Sequence, residues 1–374
     1  MCSHLKSAFN GYIPEIPFIS VDNFENQHQS AYFLSHYHAD HVCGLKASDF
    51  SAKLKKNNAF IYTSQVTTAI INFELSNLSP YVKSLNLGRN TVTINDGEEI
   101  YLNVTTLPAG HSLGSVMFLF EYKQTILYTG DFRITQNGVL KYTHLHKNGE
   151  PINIDTLYID TTFQNVPSFP RRSEVVRNVI IHIQNWLKIN EKHKVVFVTS
   201  AGFGYESICN EVYNATKLKT YIPGKWSIFS QFPKEMYGIT NDHSSRLHLV
   251  KKNSECYLKT AETLFIYFSA LKWRLEVNEE NFLNVKGPNH IEVCFSTHCG
   301  RDELLHFINY FQPKRIVGFP NPFKYKQSSC NKEKIPDPLL GISPSKRMRK
   351  ELKSDELVLS KKVSKTVIRN MFDW

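Results

Sequence analysis

The chain has 374 residues, 41% of them hydrophobic, and 44 basic against 34 acidic side chains give a formal net charge of +10. This length can bury a large core and more than one domain. No apolar run approaches the length of a bilayer span, and the N-terminal stretch MCSHLKSAFNGY lacks the apolar segment of a secretory signal. The basic balance favours nucleic acid over membrane as a polyanionic partner, although an ordinary basic enzyme would have the same composition.

The predicted elements alternate between strand and helix. Strands are predicted at 31–36, 59–64, 99–111, 115–122, 125–131, 155–163, 194–200 and 291–298; helices at about 173–189, 204–214 and 301–311. The first of these helices has Ser173 as its predicted N-cap. The pattern loosens between 215 and 285, and from about 325 the chain becomes polar and basic, with the cluster KRMRK at 346–350.

Cysteine spacing predicts reduced thiols. No two cysteines form a CxxC pair, and the odd, scattered set is typical of an intracellular protein rather than of a disulfide framework. The seven positions are Cys2, Cys43, Cys209, Cys256, Cys294, Cys299 and Cys330.

The segment LSHYHADHVCGL, residues 34–45, concentrates metal-binding side chains after an apolar strand. On a strand, His36 and His38 would point to the same face, and the following turn could bring Asp40 and His41 to the same point. Imidazoles and carboxylates are the ligands of zinc and related divalent metals. Core packing does not explain such a group, because it would leave several buried polar side chains without partners.

Two further candidate ligands follow later predicted strands. His111 lies in TLPAGHSLGS and Asp131 ends ILYTGD. Each alone could be an ordinary loop or turn residue. Together with the first segment they predict a binuclear site, in which Asp131 bridges two metals. One metal would be bound by His36, His38 and His111, and the other by Asp40 and His41.

The order HxHxDH, a single His, then TGDFR resembles the metallo-β-lactamase fold. The segments LPAGHSLGSVMFLF, TILYTGDFR and LYIDTTF narrow the resemblance to the DNA-processing β-CASP nucleases of that superfamily. The likeness runs from about residue 17 to 320 and is thin between 215 and 285. It implies an α/β fold: a metallo-β-lactamase αββα sandwich with an inserted β-CASP α/β domain.

The resemblance also implies domains and further site residues. The sandwich would occupy 1–163 and 289–324, the β-CASP insertion 164–288, and a basic polar tail 325–374. The implied catalytic residues are Asp22, Asp40, Asp131, Asp160 and His298. Asp22 and Asp160 would support metal-binding histidines, His298 would lie beside the second metal, and His248 matches a middle motif of the insertion.

Two departures from the family pattern affect the expected activity. Relatives carry a Ser-Ser pair after the last motif histidine, where this chain has Cys299 and Gly300, so a pocket for a terminal 5′-phosphate is expected to be weak. The helix that begins near Arg301 could still offer backbone N–H groups there. The extra zinc site that some relatives have in the insertion is expected to be lost, because His243 and Cys256 are wrongly spaced around His248.

The implied function is that of a metal-dependent, structure-selective DNA endonuclease and 5′-exonuclease. It would cut hairpins and overhangs during double-strand break repair by non-homologous end joining. The alternatives are a 5′-exonuclease for interstrand crosslink or telomere repair, an RNA-cleaving β-CASP enzyme and a non-catalytic repair scaffold. Phe163, Arg171 and Arg172 are the candidate DNA contacts, although Phe163 would also suit the core.

The implied cofactors are one or two divalent metal ions, zinc first, with magnesium or manganese as an alternative in the second site. The implied partners are DNA and end-joining factors such as the DNA-dependent protein kinase or the ligase complex. The KRMRK cluster suits a nuclear import signal. We expect a nuclear monomer.

Overall fold

The structure, a computed structural model, describes residues 7–26, 28–252, 260–275 and 281–324. The predicted tail, Cys2, Cys256 and Cys330 lie outside these residues. The strands are β1 Ile19–Val21, β2 Ala31–Leu34, β3 Phe60–Ser64, β4 Val82–Leu85, β5 Gly88–Asn95, β6 Glu99–Pro108, β7 Val116–Glu121, β8 Thr125–Tyr128, β9 His146–Lys147, β10 Glu150–Pro151, β11 Thr156–Asp160, β12 Lys194–Thr199, β13 Thr220–Tyr221, β14 Ile239–Thr240, β15 Leu247–Lys251, β16 Thr263–Ser269, β17 Leu283–Gly287, β18 His290–Cys294 and β19 Arg315–Phe319.

Six α-helices accompany these strands within the described ranges. They are α1 Phe50–Asn57, α2 Gln65–Glu74, α3 Arg172–Ile189, α4 Glu206–Thr216, α5 Trp226–Phe229 and α6 Arg301–Phe311, and short 3₁₀ turns lie at Ser76–Tyr81, Gln136–Lys141, Thr143–Leu145 and Leu271–Trp273. None of the helices in this part of the chain has the length and apolar character needed to cross a bilayer.

Two sheets pack face to face. The first is parallel, in the order β1-β2-β3-β4, and the second has the order β19-β11-β8-β7-β6-β5. Strand β7 reads VMFLF and is buried along its apolar run, as predicted for a strand covered on both faces. One side of β7 contributes Phe118 and Phe120 to the layer between the sheets, where both rings contact Phe33 of β2.

Helices cover the outer face of each sheet. Phe50 and Leu54 of α1 pack on the first sheet, against Ile61 of β3. Leu304 and Phe307 of α6 pack on the second sheet. The layers are therefore helix, sheet, sheet, helix, and the predicted αββα sandwich is confirmed.

A third sheet lies in sequence between β11 and α6. Its order is β14-β13-β15-β12-β16-β18-β17, and every pair is parallel except β17 with β18. Helices α3 and α4 bury Val179 and Ile208 against it. We call the described residues between the end of β11 and the start of α6 the inserted region. β19 then pairs with β11, so the chain returns to the strand from which it left.

Three sequence predictions were wrong in detail. Strand β18 pairs with β16 in the third sheet, so the chain is still in the inserted region at residue 289 and returns to the sandwich at α6. Helix α3 begins at Arg172, with Arg171 rather than Ser173 at its N-cap. Strand β2 ends at Leu34, so the histidines that follow it lie in a loop, whose turns rather than strand alternation bring them together.

Candidate metal centre

The ligand-bearing loops meet where β2 and β8 end side by side. Gly130, directly before Asp131, has φ +52°, and a Cβ there would lie 2.7 Å from the Ser35 hydroxyl. A larger residue would therefore push the two loops apart. Glycine at this position lets Asp131 lie against His36.

Asp131 lies at the middle of the cluster. Its Oδ2 atom is 3.6 Å from Nε2 of His36, 3.6 Å from Nε2 of His111 and 3.9 Å from Nε2 of His298. Its Oδ1 atom is 3.2 Å from Nε2 of His41. The two carboxylate oxygens thus face two groups of ligands.

Two overlapping groups have ligand atoms that all lie within 4.8 Å of one another. We call His36, His38 and His111 with Asp131 the three-histidine set, and Asp40 and His41 with Asp131 the Asp40–His41 set. This is the division that the sequence analysis predicted. Asp40 is the most exposed member, with 42% of its side chain accessible, and its Oδ2 atom is 3.9 Å from Nε2 of His41.

The donor set fits a divalent metal ion. The buried Nε2 atoms of His36 and His41 make no hydrogen bond to any described residue, which is costly unless an ion is bound. Burial lowers the pKa of His36 and His111 well below the usual range and that of His38 to about 4. These imidazoles are therefore neutral at pH 7, the form that ligates metals.

A buried carboxylate supports the Asp40–His41 set. Asp22 accepts hydrogen bonds from the Ser35 amide at 2.7 Å, the Ser35 hydroxyl at 2.6 Å, Tyr128 at 2.9 Å and Nδ1 of His41 at 2.8 Å. Burial alone would lower the pKa of His41, but the charges of Asp131 and Asp22 raise it well above its usual value. Nε2 of His41 remains directed toward Asp131.

Asp160 and His298 form a second buried pair at the centre. Oδ2 of Asp160 accepts from Nδ1 of His298 at 2.7 Å, while Thr162 donates twice to Oδ1. Burial would lower the pKa of His298, but the charges of Asp160 and Asp131 raise it to about 9. Asp131, Asp160 and His298 also form a group with metal-ligand spacing.

The other two histidines are oriented by the inserted region. Nε2 of His38 lies 3.1 Å from the carbonyl oxygen of Phe203, and Nδ1 of His111 lies 3.1 Å from that of Thr297. Each ring donates through this nitrogen and leaves the other for a ligand. Nδ1 of His38 and Nε2 of His111 accordingly face one another at 2.9 Å.

Sequence reasoning missed three supporting residues, Ser35, Tyr128 and Arg133. Arg133 is buried and donates to the carbonyls of Ser296, Phe169 and Pro170. It therefore ties the loop after β8 to both ends of the inserted region. Its only sequence signal is an arginine two residues after a candidate ligand. The carbonyl partners have no side-chain signal at all.

The candidate DNA contacts differ in their accessibility. Phe163 is buried, and its ring centre lies 5.1 Å from that of Phe169 and 5.6 Å from that of His298. Phe163 therefore lies in the core, which is the alternative to a DNA contact that the sequence analysis gave. Arg171 is exposed at the N-cap of α3. Arg172 is half-buried and donates to the carbonyl of Gly110 at 2.7 Å.

The start of α6 does not offer the free amides that we expected. The amide of Gly300 donates to Glu303, and those of Arg301 and Asp302 donate to the carbonyls of Val166 and Pro167. The Cys299 side chain is buried in the core beside α6. These backbone N–H groups are therefore not available to a terminal 5′-phosphate, for which we expected a weak pocket.

His248 lies away from these ligand groups. Its Nε2 atom is 2.7 Å from the carbonyl of Ser245, and its ring contacts Tyr221. Within the described ranges, every group with metal-ligand spacing belongs to the centre around Asp131 or to Asp22 beside it. Cys256 lies outside those ranges, so the predicted loss of a zinc site in the insertion stays a prediction.

Known proteins share the family and the fold. A sequence profile for DNA repair metallo-β-lactamase matches residues 182–322. Protein artemis of Rattus norvegicus is 31% identical over 348 residues, covering 84% of this chain and 49% of that protein. The chain belongs to the DNA repair metallo-β-lactamase family.

One further relative and one solved structure are also similar to this chain. The 5′ exonuclease Apollo of Rattus norvegicus is 28% identical over 322 residues, covering 82% of this chain and 54% of that protein. The chain thus spans about half the length of these relatives. A crystal structure of a protein of unknown function from Enterococcus faecalis V583 has a TM-score of 0.50 at 15% identity, covering 77% of this chain and 75% of that one. This likeness concerns the fold alone.

Proposed function

We propose that this chain is a metal-dependent DNA nuclease of Artemis type that hydrolyses phosphodiester bonds at hairpins and overhangs. The observation that carries the proposal is the position of Asp131 between the three-histidine set and the Asp40–His41 set. Two converging ligand groups that share one carboxylate suit a binuclear hydrolytic centre. The family match supports DNA as the substrate.

The residues have distinct roles in this proposal. Bound divalent metals would lower the pKa of coordinated water and neutralise charge on the phosphoryl oxygens. Asp22 fixes the His41 ring so that only its Nε2 atom faces the metals. Without a bound metal, the charges of Asp160 and Asp131 raise the pKa of His298 to about 9, which favours the protonated ring at neutral pH. Since its Nδ1 atom donates to Asp160, its Nε2 atom can give a proton to the leaving oxygen.

The proposal also includes the metal ions, the location in the cell, the partners and the domain plan. Zinc would occupy the three-histidine set, and zinc, magnesium or manganese the Asp40–His41 set. The enzyme would act as a monomer in the nucleus, in non-homologous end joining, with the DNA-dependent protein kinase or the ligase complex as partners. We also propose that residues 1–163 and the segment from α6 to residue 324 form the sandwich, with a β-CASP insertion between them and a basic tail from 325.

A cleavage assay tests the activity and its substrate preference together. The purified chain is given zinc, magnesium or manganese with an end-labelled hairpin and with one single strand that carries or lacks a 5′-phosphate. We expect internal cuts in the hairpin and little effect of the phosphate, because the amides at the start of α6 already have partners. Phosphate-dependent release of mononucleotides with intact hairpins would instead support an Apollo-type 5′-exonuclease.

The matched control for this assay is Asp40→Ala. Asp40 lies at the partly exposed rim of the site, so its removal takes away a ligand and leaves the core volume unchanged. We expect a folded protein without cleavage. Cleavage at the rate of the unaltered chain would overturn the proposal, because the activity would not then come from this centre.

A further inference from the structure

The loop that bears Phe203 is fixed from both sides by charged side chains. Lys225 donates to the carbonyl of Gly202, and its Nζ atom lies 4.0 Å from the centre of the Phe203 ring. On the other side, the amide of Gly204 donates to both carboxylate oxygens of Glu206, at 3.0 and 2.8 Å. The Phe203 carbonyl and the Gly204 amide form one peptide group, which Glu206 holds directly, while Lys225 holds the preceding peptide group through the Gly202 carbonyl.

The loop has little freedom to adopt another conformation at this point. Gly204 has φ +110°, which side chains rarely permit, and a Cβ there would lie 3.3 Å from the carbonyl oxygen of His111. The loop thus packs directly on the backbone of one ligand while its Phe203 carbonyl reaches the ring of another, His38. This loop is part of the segment AGFGYE, residues 201–206, which has the GxG of a nucleotide-binding turn but no complete nucleotide-binding motif. In the structure the segment packs against the metal centre.

The charges of Lys225 and Glu206 also influence each other's pKa. Burial lowers the pKa of Lys225 and raises that of Glu206, and the charge of each opposes this effect in the other. Only 4% of Glu206 is exposed. Burying a carboxylate is expensive unless it is hydrogen-bonded, and Glu206 meets this condition by accepting from the Gly204 amide.

We infer that Lys225 and Glu206 are positioning residues for the metal at the three-histidine set. They hold the Phe203 carbonyl where it accepts a hydrogen bond from Nε2 of His38, which keeps Nδ1 unprotonated and directed at the ligand point. Both come from the inserted region, so that region contributes to the strength of metal binding. The inference rests on the proposed function only in requiring that the site binds a metal.

Zinc affinity of the full-length chain tests this inference without any cleavage reaction. Lys225→Met keeps an unbranched side chain of similar length but removes the ammonium group that donates to the Gly202 carbonyl. Glu206→Gln keeps the shape of the side chain but removes its charge. Exposed residues of the inserted region provide the matched controls Lys188→Met and Glu191→Gln. Zinc is titrated into each metal-free protein against a chelating dye, and circular dichroism monitors folding.

We expect Lys225→Met to bind zinc about tenfold more weakly, the lower end of the effect of losing a contact that orients a ligand. Glu206→Gln should weaken binding less, and Lys225→Arg should restore it, whereas the controls should bind as tightly as the unaltered chain. In ¹⁵N spectra of the metal-free protein, the variants should lose the preference of His38 for a proton on Nε2.

Two results would overturn the inference. One is equal zinc affinity and an equal His38 spectrum in the unaltered chain, Lys225→Met and Glu206→Gln. The other is a failure of the unaltered chain to bind zinc, which would overturn the proposed function as well. If Lys225→Met does not fold, the comparison of Glu206→Gln with Glu191→Gln decides.

Discussion

The two halves of the metal centre are supported in different ways. His41, in the Asp40–His41 set, is held by the carboxylate of Asp22, which lies in the sandwich just after β1. His38 and His111, in the three-histidine set, are held by backbone carbonyls of the inserted region. The first half therefore needs only the sandwich, whereas the second is complete only when the inserted region packs against it.

The chemistry of the two supports differs as well. A hydrogen bond from an imidazole to a carboxylate is charge-assisted and about twice as strong as one to a neutral carbonyl. A single substitution can remove a carboxylate, but a carbonyl can be moved only through the residues that hold its loop. Variants that act on each half separately should therefore have effects of different size, in the order that follows.

The largest effect should come from Asp131, which serves both halves. Asp131→Asn keeps the volume but places an amide nitrogen among the ligands, so both sets lose their shared oxygen donor. We expect zinc affinity to fall by more than the roughly 10–100-fold that loss of a supporting contact costs. Zinc titration and hairpin cleavage provide the measurements. A variant that still binds two metals would contradict the shared position of Asp131.

Asp22→Asn should have the next largest effect and act on the sandwich-supported half. Asp22 has φ +52°, a left-handed conformation that asparagine tolerates, so the backbone should not change. The new amide group would face donors where four hydrogen bonds now converge. We expect a loss of roughly 10–100-fold in metal affinity and about 1–3 kcal/mol in the free energy of unfolding.

Zinc titration and urea denaturation measure these changes. The most informative comparison is with Lys225→Met. This variant should weaken metal binding without placing a poorly hydrogen-bonded amide in the sandwich core, as Asp22→Asn does. If Asp22→Asn proved milder than Lys225→Met in both assays, the assignment of strong and weak supports would be reversed.

The sequence predicted the sandwich half of this comparison much better than the inserted half. The regular apolar period of 301–311 predicted α6 with its observed bounds, and six strands, β2, β3, β6, β7, β8 and β11, were predicted to within about three residues at each end. The strands β4, β5, β9 and β10 in the same part of the chain were not predicted. Between 215 and 285 the five-residue β15 and the seven-residue β16 were not predicted, and β13 and β14 have only two residues each. Strands of that length carry no period, and only pairing in the sheet defines them.

The candidate site was predicted only where side chains, and not backbone groups, form it. His36, His38, Asp40, His41, His111 and Asp131 were identified because side-chain types and their order carry the signal, and the structure brings all six together. The carbonyl of Phe203 could not be found, since every residue has one. Phe163 had two interpretations, a DNA contact and a core residue, because an aromatic residue in a loop gives no indication of whether it is buried.

The third prediction concerns the pair Asp160–His298 in protein stripped of metal. The folded-state pKa of His298, about 9, lies above its unfolded value of 6.5, so its contribution is complete below about pH 6.5 and lost as pH rises through about 9. The pKa of Asp160 is lowered, so its contribution is present above about pH 4 and lost as pH falls through the folded value.

The pair should therefore stabilise the fold most between about pH 4 and 6.5. His298→Gln should destabilise the metal-free chain by at most about 3 kcal/mol at pH 6 and by little at pH 10. Urea denaturation at the two pH values measures this, with His182→Gln on α3 as the control. A cost that does not change with pH would show that His298 is not charged in the folded protein.

The smallest effects should come from substitutions of the two neighbouring arginines at the start of α3. Comparing these two variants distinguishes a residue that supports the metal site from one that contacts DNA. Arg172 donates to the carbonyl of Gly110, next to His111, so Arg172→Ala should loosen the half that depends on the inserted region. We expect zinc binding a few-fold weaker, less than the roughly tenfold loss expected for Lys225→Met. Arg171 is exposed, so Arg171→Ala should leave zinc affinity unchanged. If Arg171 binds a phosphate, the slope of log affinity for DNA against log salt should fall by about one.

Zinc titration and DNA binding at several salt concentrations distinguish the two roles. If Arg172→Ala changes only the salt slope, Arg172 is a DNA contact and its hydrogen bond to Gly110 does not support the metal centre.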